Sequence, residues 1–259
     1  MAKNGNGKAA LAAAEAAFEA DSGMGFEEVD KDDFQIPFVR ILQALSPQLK
    51  KSDASYIEGA SQGDIFNTVT HQVWDSEEGI VVLPVYYQKK YLEFIPRAQG
   101  GGFVQELPRT DEVLSAARDW TPLSNGNEVV ETHQHWVKIV HDDGSLETAL
   151  IDMKKTQLRQ SKTWNSLIGG QYYRGKLAPR WSATYLLTSR EDGNDKGSWH
   201  SWVVKIKDQL PIEEYLTSPL VSSAKELHGT LTKGALQIAG PPLEAITNQV
   251  LTLDDDVPF

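Results

Sequence analysis

A helix-like segment near the middle of the chain places basic side chains at the spacing of one helical face. Lys155, Arg159 and Lys162 are separated by four and then three residues, and Ser166 follows four residues later. On an α-helix these positions form a single stripe. Because lysine and arginine bind phosphate oxygens, the stripe predicts a track for a nucleic-acid backbone. The alternative is an ordinary solvated helix face.

The stripe lies in the most basic segment of an otherwise acidic chain. The 259 residues carry a net charge of -11, but the acids concentrate at the ends: residues 1–35 have three Lys against eight acids, and residues 211–259 have two Lys against seven. Residues 153–190 contain eight Lys or Arg and no Asp or Glu. Solvated faces usually mix both signs of charge, so this segment favours a surface that binds an anion.

Aromatic rings accompany these cations, and a single strand is held through stacked bases as well as through phosphates. Tyr172 and Tyr173 follow the helix, and residues 84–94 mix rings and cations again. For a ring in a predicted strand, packing in the core is an equal or better alternative to stacking on a base. The predicted DNA contacts are Tyr87, Lys89, Lys90, Tyr91, Arg97, Lys154, Lys155, Arg159, Lys162, Tyr172, Tyr173, Arg174, Lys176, Arg180, Trp181, Tyr185, Trp199 and Lys205.

Motifs for catalysis are weak by comparison. His133 and His135 with His141 and Asp142 carry metal-ligand atoms, but no carboxylate is fixed beside the two spaced histidines, so we interpret them as surface histidines on a hairpin. The glycines at 100–102 are not followed by the Lys-Ser or Lys-Thr of a phosphate loop. The sequence therefore predicts a protein that is not an enzyme and that needs no cofactor or metal.

Short apolar runs between turn residues predict a mainly β domain over residues 36–210. One hairpin joins residues 136–140 to 146–152, and another joins 181–190 to 199–207. A helix at about 156–168 lies between them. This order agrees with an OB-like Greek-key barrel with inserted loops and flanking helices, although other mixed β folds also allow it.

The segments outside this domain differ in composition. Residues 1–35 are predicted to be a flexible acidic segment with a possible short helix, and residues 108–128 an irregular insertion inside the domain. A capping box at Ser223–Glu226 predicts a helix within the element 211–240, running toward Ile238. Residues 241–259 are predicted to be a disordered acidic tail.

The tail ends in the sequence Asp254, Asp255, Asp256, Val257, Pro258 and Phe259, in which three acids precede an apolar ring and a free carboxylate. A partner with a basic rim and a small apolar pocket would bind all three features. This tip resembles that of bacterial single-stranded DNA-binding proteins and is similar to the acidic, Phe-terminated tails of their T7-type phage counterparts. The resemblance implies that the tip recruits replication or recombination proteins.

Residues 36–103 carry a second resemblance. A PF-x-R-x-LQALSPQ start at Pro37–Gln48, a GA-x-x-GDI-x-N segment at Gly59–Asn67 and a GGG loop look like a family of uncharacterised or single-strand-binding phage proteins. Together the resemblances imply non-catalytic binding and protection of single-stranded DNA in phage replication, recombination or repair. A recombination mediator or strand-annealing protein is the alternative, which annealing of complementary oligonucleotides would distinguish. A metal-dependent nuclease is a more distant third.

Several properties of the whole protein follow as expectations. No cysteine is present, which excludes disulfides and suits a reducing cytoplasm, that of the host cell if a phage encodes the protein. The longest apolar run, residues 80–87, is too short to cross a membrane, and the N-terminus lacks a signal peptide. The chain departs from the bacterial proteins in its short linker and larger folded part. The phage comparison therefore favours a monomer or homodimer over their tetramer.

Overall fold

The chain divides into two units, residues 1–35 and 36–259, in the computed structural model. The structure describes residues 5–22, 24–25, 27–28, 35–195 and 197–233. The first unit contributes one helix, α1 (Gly5–Ala20), whose alanine-rich sequence has high helix propensity. The predicted tail at 241–259 and the predicted helix end near Ile238 lie outside the described residues.

The second unit is mainly β, with antiparallel sheets and a few helices. Its strands are β1 (Val39–Ile41), β2 (Ile65–Asn67), β3 (Val73–Trp74), β4 (Ile80–Phe94), β5 (Phe103–Leu107), β6 (Glu128–Val140), β7 (Leu146–Lys154), β8 (Tyr172–Tyr173), β9 (Lys176–Leu177), β10 (Ala183–Asn194) and β11 (Gly197–Gln209). Its helices are α2 (Asp111–Asp119), α3 (Leu158–Gly169) and α4 (Pro219–Thr232).

The central sheet has the strand order β11, β10, β4, β6, β7, and β5 pairs with the far end of β4. The two predicted hairpins, β6–β7 and β10–β11, are confirmed, and α3 lies between them in the sequence. The two outermost strands of this order are β7 and β11. Among the described strands they do not pair with each other, so the sheet is open. The closure of the predicted OB-like barrel is therefore absent from this part of the chain.

A β-bulge in β4 changes which side of the sheet its residues face. Pro84 pairs with Val137 and Tyr86 pairs with Trp136, so Val85 is the extra residue. Before the bulge, Val82 belongs to the core under α3 and Leu83 to the core under α4. After it, Tyr86 packs toward α4 and Tyr87 toward the α3 side. The bulge therefore aims Tyr87 at the side of the sheet that carries α3.

Three helices cover the two sides of this sheet. On one side, α3 buries Ser161, Trp164 and Ile168, which recur at helical spacing, against β6, β7 and β10. On the same side, α2 packs on Tyr91 and Val129 at the far end of β4 and β6. On the opposite side, α4 packs its apolar stripe against Leu83 and Val85.

Side-chain amides fix the start of α3 against the outer edge of β11. Gln157 immediately precedes the helix; its amide donates to the His200 carbonyl at 2.9 Å and its carbonyl oxygen accepts from the Trp202 N–H at 3.2 Å. Gln43 bonds the same His200 backbone through two contacts of 2.9 Å. These bonds pair backbone groups of an edge strand that would otherwise be unpaired, and they hold α3 in place.

Two helices differ from the sequence expectation. The predicted irregular insertion contains α2, whose N-cap Thr110 accepts a hydrogen bond from the Val113 N–H at 3.3 Å. Helix α4 begins at Pro219, ahead of the predicted capping box, because proline fits the first turn of a helix. No helix in the described ranges combines the length and apolarity needed to cross a membrane.

Candidate nucleic-acid interface

A guanidinium group stacked on a tyrosine marks the centre of the candidate site. Arg180 follows the β8–β9 hairpin, and its Cζ lies 5.6 Å from the centre of the Tyr87 ring on β4. One of its terminal nitrogens donates to the Asn165 side chain of α3 at 3.1 Å. Burial lowers the pKa of the guanidinium to about 10. No carboxylate among the described residues forms an ion pair with Arg180, and its buried Nε makes no hydrogen bond with them.

Exposed cations continue from this centre along the outer face of α3. Arg159, Lys162 and Ser166 are solvent-exposed and lie opposite the buried face of the helix. Lys162 lies close enough to His133 to lower the pKa of that imidazole, although burial has the larger effect. Lys155, predicted to be on the same stripe, instead belongs to a short 3-10 turn before α3 and is half-buried, because the helix starts at Leu158.

A small hairpin extends the site from the C-terminal end of α3. Its strands β8 and β9 are joined by Arg174 and Gly175, both with positive φ as in a type I′ turn. Tyr172 pairs with Leu177 on one face of the hairpin, and Tyr173 pairs with Lys176 on the other. All four side chains are exposed, and the Arg174 guanidinium lies 5.2 Å from the Tyr173 ring centre. The hairpin thus presents rings and cations together to solvent.

Beneath Tyr87, a buried hydrogen-bond network ties the sheet to α3. The Ser161 hydroxyl is 2.8 Å from His133 Nδ1 and 2.7 Å from His135 Nε2. His133 Nε2 lies 2.8 Å from a Glu131 carboxylate oxygen, which also accepts from Lys89 at 2.9 Å. The two imidazole rings pack against Tyr87 at 5.5 and 5.1 Å between centroids, and His135 stacks on Trp164 at 4.4 Å.

The network assigns a tautomer to each histidine. A carboxylate only accepts, so His133 Nε2 donates to Glu131, and the neutral ring then accepts the Ser161 proton at Nδ1. His135 Nε2 completes the chain by donating to the Ser161 oxygen. Burial lowers the pKa of both imidazoles, that of His135 well below its usual value. Both rings are therefore neutral at pH 7, and the positive charge of the site comes from Lys89, Lys162 and Arg180.

A serine, a histidine and a glutamate linked by hydrogen bonds also occur in the active sites of hydrolases, where the serine hydroxyl must reach the substrate. Here the Ser161 side chain is fully buried, and both sides of its hydroxyl are occupied by imidazoles. The arrangement therefore positions Tyr87 and α3 rather than exposing a nucleophile. No cluster of three or more His, Cys, Asp or Glu that would hold a metal ion occurs in the part of the chain that the structure describes.

The structure brings some predicted contacts together and separates others. Tyr87, Lys89 and Lys162 lie around His133, and Arg180 lies over the Tyr87 ring. Lys90 and Lys154 both pair with Thr132, and neighbouring residues of a strand face opposite sides. These two lysines therefore lie on the side of the sheet opposite to Lys89. There Lys90 forms an ion pair with Glu106, and Lys154 lies over the Phe94 ring. Lys205 is exposed on β11, and the side chain of Arg97 is outside the described part.

Four of the predicted aromatic contacts are placed in or against the core instead. Tyr91 packs under α2, Tyr185 is fully buried beside Trp164, and Trp199 is buried with its Nε1 donating to Ser201. Trp181 is half-buried on the α4 side, where its Nε1 donates to the Tyr215 hydroxyl at 3.1 Å. For the three rings that lie in strands, burial follows from ring size and strand alternation, since large apolar surface on the inner face of a strand is removed from water. Trp181 lies in the 3-10 turn before β10.

His133, His135, Glu131, Asn165 and Ser161 belong to the site although the sequence did not identify them as contacts. The interpretation of the two histidines as surface residues is wrong, because both are almost fully buried under α3. Their alternation with Glu131 on a strand was the available signal: residues 131, 133 and 135 must face one side. Only the tertiary contact with Ser161, 26 to 28 residues away, shows that this side is covered.

A family model described as Pam3 phage gp34-like protein matches residues 5–237. No curated protein and no solved structure matches the chain.

Proposed function

Since the chain belongs to the Pam3 phage gp34-like protein family, we propose that it is a phage protein that binds and protects single-stranded DNA without catalysis. It would act in replication, recombination or repair of phage DNA. The proposed binding surface consists of Tyr87 and Arg180, the exposed face of α3 and the β8–β9 hairpin.

The observation that carries this proposal is the state of Arg180. A partly buried cation is costly unless an anion compensates it, and no described carboxylate does so. The partner of its hydrogen bond is the neutral amide of Asn165. A phosphate group would supply the missing charge and accept from the terminal nitrogens of the guanidinium, which bind phosphate oxygens well.

The surrounding groups favour a single strand over a duplex. Tyr172 and Tyr173 expose rings on a projecting hairpin, and in a duplex the base faces that such rings stack on are already occupied by neighbouring base pairs. Arg159, Lys162, Arg174 and Lys176 lie on the same continuous segment and supply charge without reading base edges. This combination suits binding with little sequence preference.

The first test is the affinity of an Arg180→Ala variant for oligo-dT, measured by fluorescence anisotropy against a duplex of equal length. We expect the wild-type protein to prefer the single strand, and the variant to bind it at least about tenfold more weakly, because a hydrogen-bonded charge is worth about 1.5–3 kcal/mol. Arg180→Lys keeps the charge but loses the planar stack on Tyr87 and should bind with intermediate affinity.

Arg190→Ala is the matched control, since Arg190 is exposed toward the far end of β10, and it should bind oligo-dT like the wild type. Thermal unfolding of each variant separates a loss of binding from a loss of folding. Equal affinities of the Arg180→Ala and Arg190→Ala variants, or equal binding of duplex and single strand by the wild type, would refute the proposal.

A further inference from the structure

Helix α1 carries an exposed stripe of apolar side chains. Leu11 is 60% exposed and Phe18 81% exposed, and a spacing of seven residues places them on the same side of the helix. Ala14 lies between them on that side and is also exposed. Single exposed apolar residues are ordinary on a protein surface, but an aligned stripe with small residues beside it is the pattern through which helices pair.

Charged residues flank this stripe on one edge only. One flank of the stripe carries Lys8, Glu15 and Glu19. The other flank carries Ala10 and Ala17. The positive charge is near the N-terminal end of the helix and both negative charges are near its C-terminal end. The edge is therefore complementary to a copy of itself that runs in the opposite direction.

We propose that α1 pairs with α1 of a second copy of this chain in an antiparallel, two-fold symmetric contact. In such a pair like flanks adjoin, so Lys8 of one copy lies beside Glu15 and Glu19 of the other, and symmetry repeats the contact. Leu11 packs against Ala14 of the second copy, a large side chain against a small one. A parallel pair would place the charged flank against the alanine flank and form no ion pairs.

Pairing also accounts for the stability of α1. A single helix of 16 residues is only just longer than the roughly 12–15 residues below which isolated alanine-rich helices are marginal in water, because nucleation is costly. Burial of Leu11 and Phe18 in the pair supplies the packing that an isolated helix lacks. The contact between two such helices is small, so we expect a dimer that dissociates at micromolar concentration.

The test is the mass of the full chain measured by analytical ultracentrifugation over a range of concentrations. The wild type should pass from monomer to dimer, and Leu11→Glu with Phe18→Glu should remain monomeric. Ala13→Glu places a charge on the opposite side of the helix and is the matched control, which should dimerise like the wild type. A wild-type protein that is monomeric throughout, or a double variant that still dimerises, overturns the proposal.

Charge exchange tests the orientation. Lys8→Glu alone should weaken the dimer about tenfold, since the attraction of both Lys8 side chains to Glu15 and Glu19 of the other copy becomes repulsion. Adding Glu15→Lys and Glu19→Lys to that variant restores complementarity and should restore the affinity. Failure of the triple variant to recover would exclude the antiparallel pair.

The absence of cysteine from the chain provides a second measurement of the contact. Under mild oxidation, Ala14→Cys should form a disulfide-linked dimer, because Ala14 lies near the centre of the stripe, whereas Ala13→Cys should not. Equal cross-linking at both positions would show random collision instead of pairing. Oligo-dT affinity of the monomeric variant is a separate readout, so failure here leaves the proposed binding surface untouched.

Discussion

Glu93 shows how a single residue stabilises the far end of the central sheet. Its side chain is 1% exposed, and its carboxylate accepts from the amides of Gln105, Asn125 and Asn127 at 2.6 to 2.7 Å. These three bonds hold its pKa below the usual value of 4.5. One carboxylate thereby connects β4, β5 and the loop that precedes β6.

We expect Glu93→Gln to destabilise the protein by about 1–3 kcal/mol, because a glutamine presents an N–H₂ group to amides that already donate. The wild type should lose stability as the pH falls through 4.5 toward the lower folded pKa, and the variant should lose less over that interval. Urea unfolding at several pH values measures both effects. Glu106→Gln, at a half-exposed ion pair, is the control and should change stability by less than about 1 kcal/mol.

Residue-level roles were only partly predictable from the sequence. Tyr87 and Arg180 were expected at a binding surface, and the structure places the Arg180 guanidinium over the Tyr87 ring, while the binding role stays a prediction. Tyr185 and Trp199 have the same chemistry as the exposed tyrosines, and only the side of the sheet that they face places them in the core. Strand alternation separates the two sides, but it does not say which side a helix covers.

At the scale of elements, α3 combines two functions on opposite faces. Its inner face packs Trp164 and Ile168 into the main core, and its outer face presents Arg159 and Lys162 to solvent. Its last turn is tied to the hairpin base by the Gln171 amide, which donates to the Leu167 carbonyl at 3.2 Å. The helix thus carries the proposed phosphate track and is joined at its C-terminal end to the hairpin that carries the exposed rings.

This arrangement predicts a salt effect. Arg159→Ala with Lys162→Ala should reduce the slope of log affinity against log salt for oligo-dT by about 1.4, corresponding to two lost phosphate contacts on a single strand. Titrations at four or more salt concentrations measure the slope. Lys233→Ala, exposed at the end of α4 on the opposite side of the sheet, should leave the slope unchanged. Equal slopes in all three proteins would contradict a phosphate track on α3.

Elements were predictable where local chemistry determined them. The hairpins and α3 follow from alternation, turn residues and helical spacing, and Pro84 is accepted inside β4 because it lies at the bulge. Helix α2 was missed although Thr110, Asp111 and Glu112 form a good helix start. No glycine marks the C-terminal end of α2 in the sequence. Trp120 adopts the left-handed conformation there, with φ 54°, where glycine is usual.

At the scale of the whole molecule, charge is distributed unevenly along the chain. The acids concentrate in residues 1–35 and 211–259, while the proposed surface, apart from Tyr87, belongs to residues 153–190, which contain no acid. The open sheet was not predictable from element order, because the same hairpin, helix and hairpin build open and closed sheets. Closure depends on whether the outermost strands meet, which is a property of twist and strand length over the entire domain.

The charge distribution predicts an effect of the C-terminal tip. Deleting residues 254–259 removes three acids that can compete with phosphate for the basic surface, so oligo-dT affinity at low salt should rise and its salt dependence should change. The same deletion should abolish capture of a replication or recombination protein. A variant with Asp254, Asp255 and Asp256 changed to Asn separates charge from the apolar end. An unchanged affinity, salt dependence and partner capture would exclude a role for the tip.

The bulge at Val85 imposes a constraint on the length of the chain. Because successive strand residues alternate sides, deleting Val85 would turn Tyr87, Lys89, Tyr91 and Glu93 over to the α4 side and bring Tyr86, Gln88 and Lys90 beneath α3 and α2. Insertions in the loop after β5 carry no such penalty. Evolution is therefore free to lengthen the loops of this protein, while the residue count between Pro84 and Tyr87 behaves as a fixed spacer.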